Sequence, residues 1–523
     1  MRLKNTGTNM DEITVVKTGM SKSKATVWFW SVVLPFASLW ILLPLLFHTG
    51  YKPDVVELQL IAKEWVLATR KHPMLPAWIL EILNIFTGRS FIAPFIAASL
   101  CTVITLCSLW RLARHVLSER LALIGTFSML PFWSITVEST KYNQNSALMA
   151  CWTLTILMFY NAFQTNKKRW WMATGLTLGL GLHAKYTMIL LAAAILLYSL
   201  CIPRFRRYWK EPGPWLTVLI SFAVFLPHLI WLYFVGFLST ASYALDRGYL
   251  PGSIVAYFQY PIQWLMCELG LILISPLALL VPCLGRKWKI RQPQSEIEKE
   301  ALQYLLCCMA FPFFFFLLFA VLGTPLTSDY GYALYFVLGT YLLLRFQQRD
   351  DAHVLRQTFC WTSLAILLMV VVFIVQAVGS PYLMGTPRKF HFPMRELGAE
   401  CDRIWSSRFD VPCPYISGDW LCAGNAAYAM KDHPSVLFYY GGLDDRKVLP
   451  AGTWATDDDV NRKGGILLWD ASALSKPTAP RWIRHRFPKA EVLPDILEMP
   501  YKTAANIPPL RIGVALVPPS HDR

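Results

Sequence analysis

A polytopic α-helical membrane protein with a small C-terminal α/β domain is the fold class this sequence predicts, and three observations predict it. Hydrophobic residues make up 55% and aromatic residues 14% of the 523 positions, with a mean hydropathy of +0.40, which is too apolar for an ordinary soluble chain. About eleven runs approach the roughly 20 apolar residues that a helix needs to cross a bilayer. After residue 379 those runs cease and helical patterns alternate with strand-like ones.

Residues 1–26 are polar and basic, and we expect them in the cytoplasm. The run that follows is too long for a signal-peptide core, so it reads as a retained first span. The apolar runs centre on 27–47, 91–110, 121–137, 146–160, 170–182, 186–202, 215–234, 264–284, 304–323, 330–344 and 359–378, and residues 27–379 form the membrane domain. With the N-terminus inside, "RLARHVLSER", "NKKR", "RFRRYWK", "RKWKIR" and "RFQQRDDAHVLR" all fall on the cytoplasmic side. The positive-inside rule thus accounts for much of the net charge of +16. No nucleic-acid partner is needed.

The same alternation places loop 49–90 and residues 380–523 on the periplasmic side. In the tail, "MRELGAECDRIWSSRF" and "DWLCAGNAAYAM" read as helices, and "PYISG", "SVLFYYGG", "GGILLWD" and "RIGVALVPP" read as strands. Such alternation predicts a partly parallel sheet. Most of the 12 cysteines lie in or beside spans. Cys401, Cys413 and Cys422 lie in the tail, where any one disulfide among them leaves a thiol over.

Loop 49–90, about forty residues, is too long for a passive connector and is patterned in part like an amphipathic helix on a membrane surface. Asp54 and Glu57 would share a face of a helix beginning near Pro53, or would simply make an ordinary helix start. Arg70, Lys71 and His72 follow just before Pro73. If the segment between folds back, the acids and cations meet at one site. That chemistry suits group transfer from a phosphate leaving group to a hydroxyl: a carboxylate takes the acceptor proton, and fixed cations stabilise the departing phosphate.

The order of a first apolar span, "PDVVE" and "RKHPMLPAWILE" resembles the bacterial polyprenyl-phosphate-dependent glycosyltransferases of family 39 type, which have the C-type glycosyltransferase fold. This group includes the lipopolysaccharide aminoarabinose and galacturonic acid transferases and, more distantly, the protein O-mannosyltransferases. "KYNQNSALMACW", "GLGLHAKYTMIL" and the tail segments "ISGDWLCAGNAAYAMKDHPSV" and "GGILLWD" are also similar. The resemblance implies Asp54 as general base, with Glu57 positioning it or the acceptor. Relatives often carry Glu-Lys-Pro where this chain has Lys71-His72-Pro73. The acid that helps hold a divalent metal there is therefore replaced, which argues against a metal and puts Lys71 and His72 on the donor phosphate.

Glu138, Lys141, Asn143 and Asn145 stand at the outer end of the third and fourth runs, where they read as substrate contacts or as an interfacial ion pair and a helix cap. Lys185, beside His183, reads as a phosphate contact or as a snorkelling lysine. Asp246 and Arg247 would contact the lipid-linked sugar from a loop. Tyr330 and Tyr332 read as an interfacial aromatic belt. "SGDWLCAGN" lacks the spaced glycines of a phosphate loop and reads as structural or acceptor-recognising.

The expected function is inverting transfer of a sugar from a polyprenyl-phosphate carrier to lipopolysaccharide, lipid A or another envelope glycan, at the bacterial inner membrane. The alternative is a transporter or flippase of a lipid-linked sugar. Against it, span interiors hold few ionisable groups, Glu268 and His228 being exceptions with no evident partner.

Overall fold

The computed structural model describes residues 20–69, 71–236, 253–280, 290–346, 351–437, 454–472, 478–502 and 507–520. Arg70, Asp246 and Arg247, expected at the site, lie outside the described residues.

Helix α1 (Lys22–Phe47) starts where the Ser21 hydroxyl accepts the Lys24 amide. It turns Phe29, Val33 and Trp40 inward and leaves Leu34, Leu42 and Leu46 exposed to the surroundings. The loop that follows contains α2 (Pro53–Ala62) and α3 (Leu75–Phe86). Next come α4 (Ala93–Ala113), α5 (Glu119–Phe127), α6 (Gln144–Thr165), α7 (Lys168–Ala184), α8 (Met188–Cys201), α9 (Pro203–Tyr208) and α10 (Pro212–Trp231). The helical part closes with α11 (Ala256–Leu280), α12 (Glu296–Val321), α13 (Leu338–Arg345) and α14 (Ala352–Ile374).

Among the described residues, Lys22–Phe47, Ala93–Ala113, Gln144–Thr165, Pro212–Phe234, Glu296–Val321 and Ala352–Met384 are long and apolar enough to cross a bilayer. Leu75–Phe86 and Met188–Cys201 are apolar but shorter. Two of the expected runs are broken rather than continuous. The run over 121–137 leaves the α-helix after Phe127 and continues as 3₁₀ turns at Trp133–Ile135 and Val137–Thr140. Pro131 sits in that break, where it can neither donate an amide nor continue the helix. The run over 330–344 is α-helical only from Leu338. The first break places Glu138, Ser139 and Thr140 in a turn, and the second buries the apolar stretch from Tyr332 to Val337.

Helices α7 and α10 pack closely because Gly175 and Gly179 lie one turn apart on the contact face. A Cβ at Gly175 would come within 2.7 Å of the Thr217 carbonyl oxygen, and one at Gly179 within 2.7 Å of Val224 Cβ. Small residues at this spacing are how apolar helices approach without a hydrophobic driving force. His183 is buried on this face, its Nε2 at 2.9 Å from the Val224 carbonyl oxygen. It is a packing residue of the pair.

The C-terminal domain has α15 (Met394–Ser406) and α16 (Trp420–Ala429) on a six-stranded sheet. Its strands are β1 (Tyr415–Gly418), β2 (Ser435–Leu437), β3 (Gly465–Asp470), β4 (Glu491–Val492), β5 (Leu497–Met499) and β6 (Leu510–Val517). The order is β2-β1-β3-β6-β4, with β5 also on β6. β1 pairs in parallel with both β2 and β3, and β3 pairs antiparallel with β6. The expected partly parallel sheet is present. Cys401, Cys413 and Cys422 are buried free thiols.

This domain clamps the loop. Both the Thr49 and Gly50 amides donate to the Phe390 carbonyl, at 3.0 and 2.9 Å. The Tyr51 amide donates to Asn425 Oδ1 at 3.3 Å, and a Cβ at Gly424 would lie 2.4 Å from Val56 Cγ1. Helix α2 is therefore enclosed, with every residue from Val55 to Ala62 buried. The amphipathic pattern expected for a membrane-surface helix belongs instead to α3, which exposes Ile82, Ile85 and Phe86 and buries Ala77 and Leu80.

Candidate active site

Pro53 starts α2, and Asp54 stands in its first turn, where the helix dipole favours a negative charge. The chain then reverses. Thr69 and His72 close a tight turn, with the Thr69 amide donating to the His72 carbonyl at 3.1 Å and Ala68 bridging Pro73. The Trp78 indole holds the turn by donating to the Val66 carbonyl at 3.0 Å. This reversal brings Lys71 back to α2, where its Nζ donates to Glu57 Oε2 at 2.7 Å. The acids and the basic turn do converge.

The broken run supplies the facing wall. Asn143 caps α6, its Oδ1 accepting the Asn145 amide at 2.9 Å, while its Nδ2 donates to Asp54 Oδ2 at 2.9 Å. Asn143 is thus a helix cap that also faces Asp54. Lys141 Nζ lies 3.4 Å from Asp54 Oδ2, 3.2 Å from Glu138 Oε2 and 4.0 Å from Asp329 Oδ2. Burial works against the charge on Asp54, but Lys141, the Asn143 amide and Lys71 outweigh it and hold this carboxyl below the usual aspartate range. For Lys141, too, burial opposes the charge, and Asp54, Glu138 and Asp329 hold it above the usual lysine range. Asp54 is therefore an anion at neutral pH, and both its close partners bind the same oxygen, Oδ2.

Two other lysines are held differently. Lys185, between α7 and α8, donates to the neutral Asn145 Oδ1 at 2.8 Å and lies 4.8 Å from the Tyr330 ring centroid. Lys52 donates to the Thr140 hydroxyl at 2.8 Å. Among the described residues neither makes an ion pair with a carboxylate. Burial lowers each to about 8, against a usual value near 10.5, although Asp54 pulls both upward. A half-buried cation whose direct partners are neutral is an incomplete pair, and an anion arriving there would complete it.

The structure thus brings together Asp54, Glu57, Lys71, Glu138, Lys141, Asn143 and Lys185, while His72 contributes its backbone to the turn. Tyr330, expected in an interfacial aromatic belt, stands over Lys185. Lys52 and Asp329 were missed by sequence reasoning. Lys52 looked like a flank of the Pro53 helix start, and Asp329, in "TSDYGY", is brought to Lys141 only by the fold. His228 finds Tyr186, whose hydroxyl lies 2.9 Å from its Nε2. Among the described residues no group of three or more His, Cys, Asp or Glu is placed to hold a metal ion.

The structure of ArnT from Cupriavidus metallidurans bound to undecaprenyl phosphate superposes with a TM-score of 0.59 at 13% identity, covering 96% of this chain and 99% of that one. Its apo form gives 0.57 at 12%, covering 94% and 98%. The fold is the C-type glycosyltransferase fold. The family model described as dolichyl-phosphate-mannose-protein mannosyltransferase matches residues 71–231, the stretch that runs from Lys71 through Lys141, Asn143 and Lys185. The lipopolysaccharide core galacturonosyltransferase RgtB of Rhizobium johnstonii is 26% identical over 190 residues, 35% of this chain and 38% of that protein. The match spans little more than a third of this relative. Sequence and architecture together make this chain similar to polyprenyl-phosphate-dependent glycosyltransferases.

Proposed function

We propose that the protein transfers a sugar from a polyprenyl-phosphate carrier to a hydroxyl of an envelope glycan on the periplasmic side of the inner membrane, inverting the sugar carbon. The observation that carries this reading is the juxtaposition of an ionised, half-exposed Asp54 with two cations, Lys185 and Lys52, whose direct hydrogen-bond partners among the described residues are neutral. In the reaction Asp54 takes the proton from the acceptor oxygen as that oxygen bonds to the sugar carbon. The carbon–oxygen bond to phosphate breaks on the opposite face, and its electron pair leaves with the carrier phosphate. Lys185 and Lys52 meet the growing phosphate charge in a site already ordered to receive it. Asn143 and Lys141 fix Asp54 Oδ2, so Oδ1 is the oxygen aimed at the acceptor. Glu57 and Lys71 brace the turn.

The fold likeness to a protein solved with undecaprenyl phosphate, and the sequence likeness to a galacturonosyltransferase of the lipopolysaccharide core, support the donor class and an envelope acceptor. A lipid-linked sugar translocase is the competing reading. One observation favours it, the burial of the ionisable Glu268 inside α11, beside the Tyr335 hydroxyl. Mass spectrometry of envelope glycolipids from cells with and without the protein decides between them. Transfer predicts that one sugar substituent disappears from a glycolipid while its carrier-linked form accumulates. An unchanged glycolipid profile, with flux of the carrier-linked sugar in proteoliposomes, would establish translocation instead.

A further inference from the structure

The transfer site does not account for a cavity of about 370 Å³ in the C-terminal domain, within the range of roughly 300–1,000 Å³ typical of ligand sites. It lies at the carboxyl ends of the parallel strands β1 and β3. From β1 the chain runs to β2 on one side, and it later returns to β3 on the other. In open α/β sheets such a switch point is where ligands bind. The turn out of β1 depends on Gly418, whose φ of +126° and closeness to the Leu468 carbonyl exclude any side chain.

The lining indicates the ligand chemistry. Asp419 and Asp470 stand at the ends of β1 and β3, with Trp420 and Tyr501 beside them. One oxygen of each carboxylate is engaged by an amide, Asp419 Oδ1 by Cys422 at 3.0 Å and Asp470 Oδ1 by Ser472 at 2.8 Å. Because the Asp419 carboxylate already caps α16, that helix start repels a phosphate instead of cradling it, which disfavours a nucleotide. Paired carboxylates with aromatic faces suit the hydroxyls and apolar faces of a sugar. The exposed Arg388 and Lys389, which also line it, suit an anionic substituent. Pro53 closes the cavity on the side of α2, one residue from Asp54.

We propose that this cavity is an acceptor subsite, holding a glycan that carries an anionic group so that one of its hydroxyls extends toward Asp54. This rests on the transfer reading. It gives the C-terminal domain a part in choosing the acceptor and explains why the domain clamps the catalytic loop.

The test is binding of a phosphorylated lipopolysaccharide core oligosaccharide to the full-length protein in nanodiscs, without donor, by calorimetry. The wild type and Asp54→Asn are expected to bind alike. Asp470→Asn and Lys389→Ala, both at exposed positions, are expected to raise Kd at least about tenfold, the loss of a charge-assisted contact. Trp420→Ala is expected to do the same and Trp420→Phe to restore binding. Retained polyprenyl-phosphate binding confirms that each variant is folded. No binding by the wild type, or unchanged Kd in Asp470→Asn and Lys389→Ala, overturns the subsite. Binding that follows these variants in a protein that transfers no sugar would keep the glycan site and sink the transfer reading. Transfer with unchanged affinity in the variants would do the reverse.

Discussion

Two polar clusters flank α2, and they are built from the same residue types to opposite ends. On one side Glu81, with a side chain only 3% exposed, accepts both terminal nitrogens of Arg89 and the Asn84 amide, which also donates to Gln59 Oε1 at 2.7 Å. Its buried anion and half-buried cation are matched directly to each other. On the other side Asp54, Glu57, Lys71 and Lys141 are matched to one another, but Lys185 and Lys52 are left with an amide oxygen and a hydroxyl. A closed pair spends its attraction on holding the fold. An incomplete pair keeps attraction in reserve for a ligand.

The comparison breaks most sharply at Asp54. Asp54→Asn keeps the shape but not the base, so sugar transfer should fall on the order of 10²–10⁴-fold with little change in the thermal transition. Next in size, Arg89→Met strands the buried Glu81 carboxylate and should cost about 3–5 kcal/mol of stability without altering the KM for donor. Adding Glu81→Gln should recover most of that loss in denaturant or thermal unfolding. Lys71→Met removes the 2.7 Å pair with Glu57 and should cost about 1.5–3 kcal/mol, with part of the loss recovered by Glu57→Gln. If Lys71→Met left stability intact and raised only the donor KM, Lys71 would belong with the ligand-binding cations.

The smallest effect is on pH dependence. Lys185 and Lys52 titrate at about 8 in the unliganded protein. Between that pH and the usual lysine value the folded chain holds fewer protons than the unfolded one, so stability rises with pH over this window. Donor binding needs the protonated lysines and moves the other way, its KM rising above about pH 8. Lys185→Arg, which stays charged, leaves Lys52 to titrate, so that limb should become shallower and shift upward by only about a few tenths of a pH unit. Asp54, held below its ordinary range, sets no acid limb near neutrality.

Much of this was legible in the sequence. The composition showed the membrane domain, the alternation of patterns after residue 379 showed the mixed sheet, and the charges of loop 49–90 showed where chemistry gathers. The local turn over Thr69–Pro73 could be expected from its proline. What could not be read was partnership. Lys71 and Lys185 look alike as letters, yet one faces a carboxylate and the other an amide. Only the packing of α2, α6 and the Ser328–Tyr330 turn decides which. The break at Pro131 was hidden because hydropathy averages over a window and does not register a missing amide. The enclosure of α2 depends on the C-terminal domain, which no local pattern foretells.

Titrating polyprenyl phosphate into nanodisc-held protein and comparing Lys185→Met with Arg89→Met tests the central claim most directly. The account predicts that Lys185→Met loses about 10- to 100-fold in affinity, the worth of one charge-assisted contact, while folded Arg89→Met binds as the wild type does. Equal affinity in Lys185→Met and the wild type would contradict it.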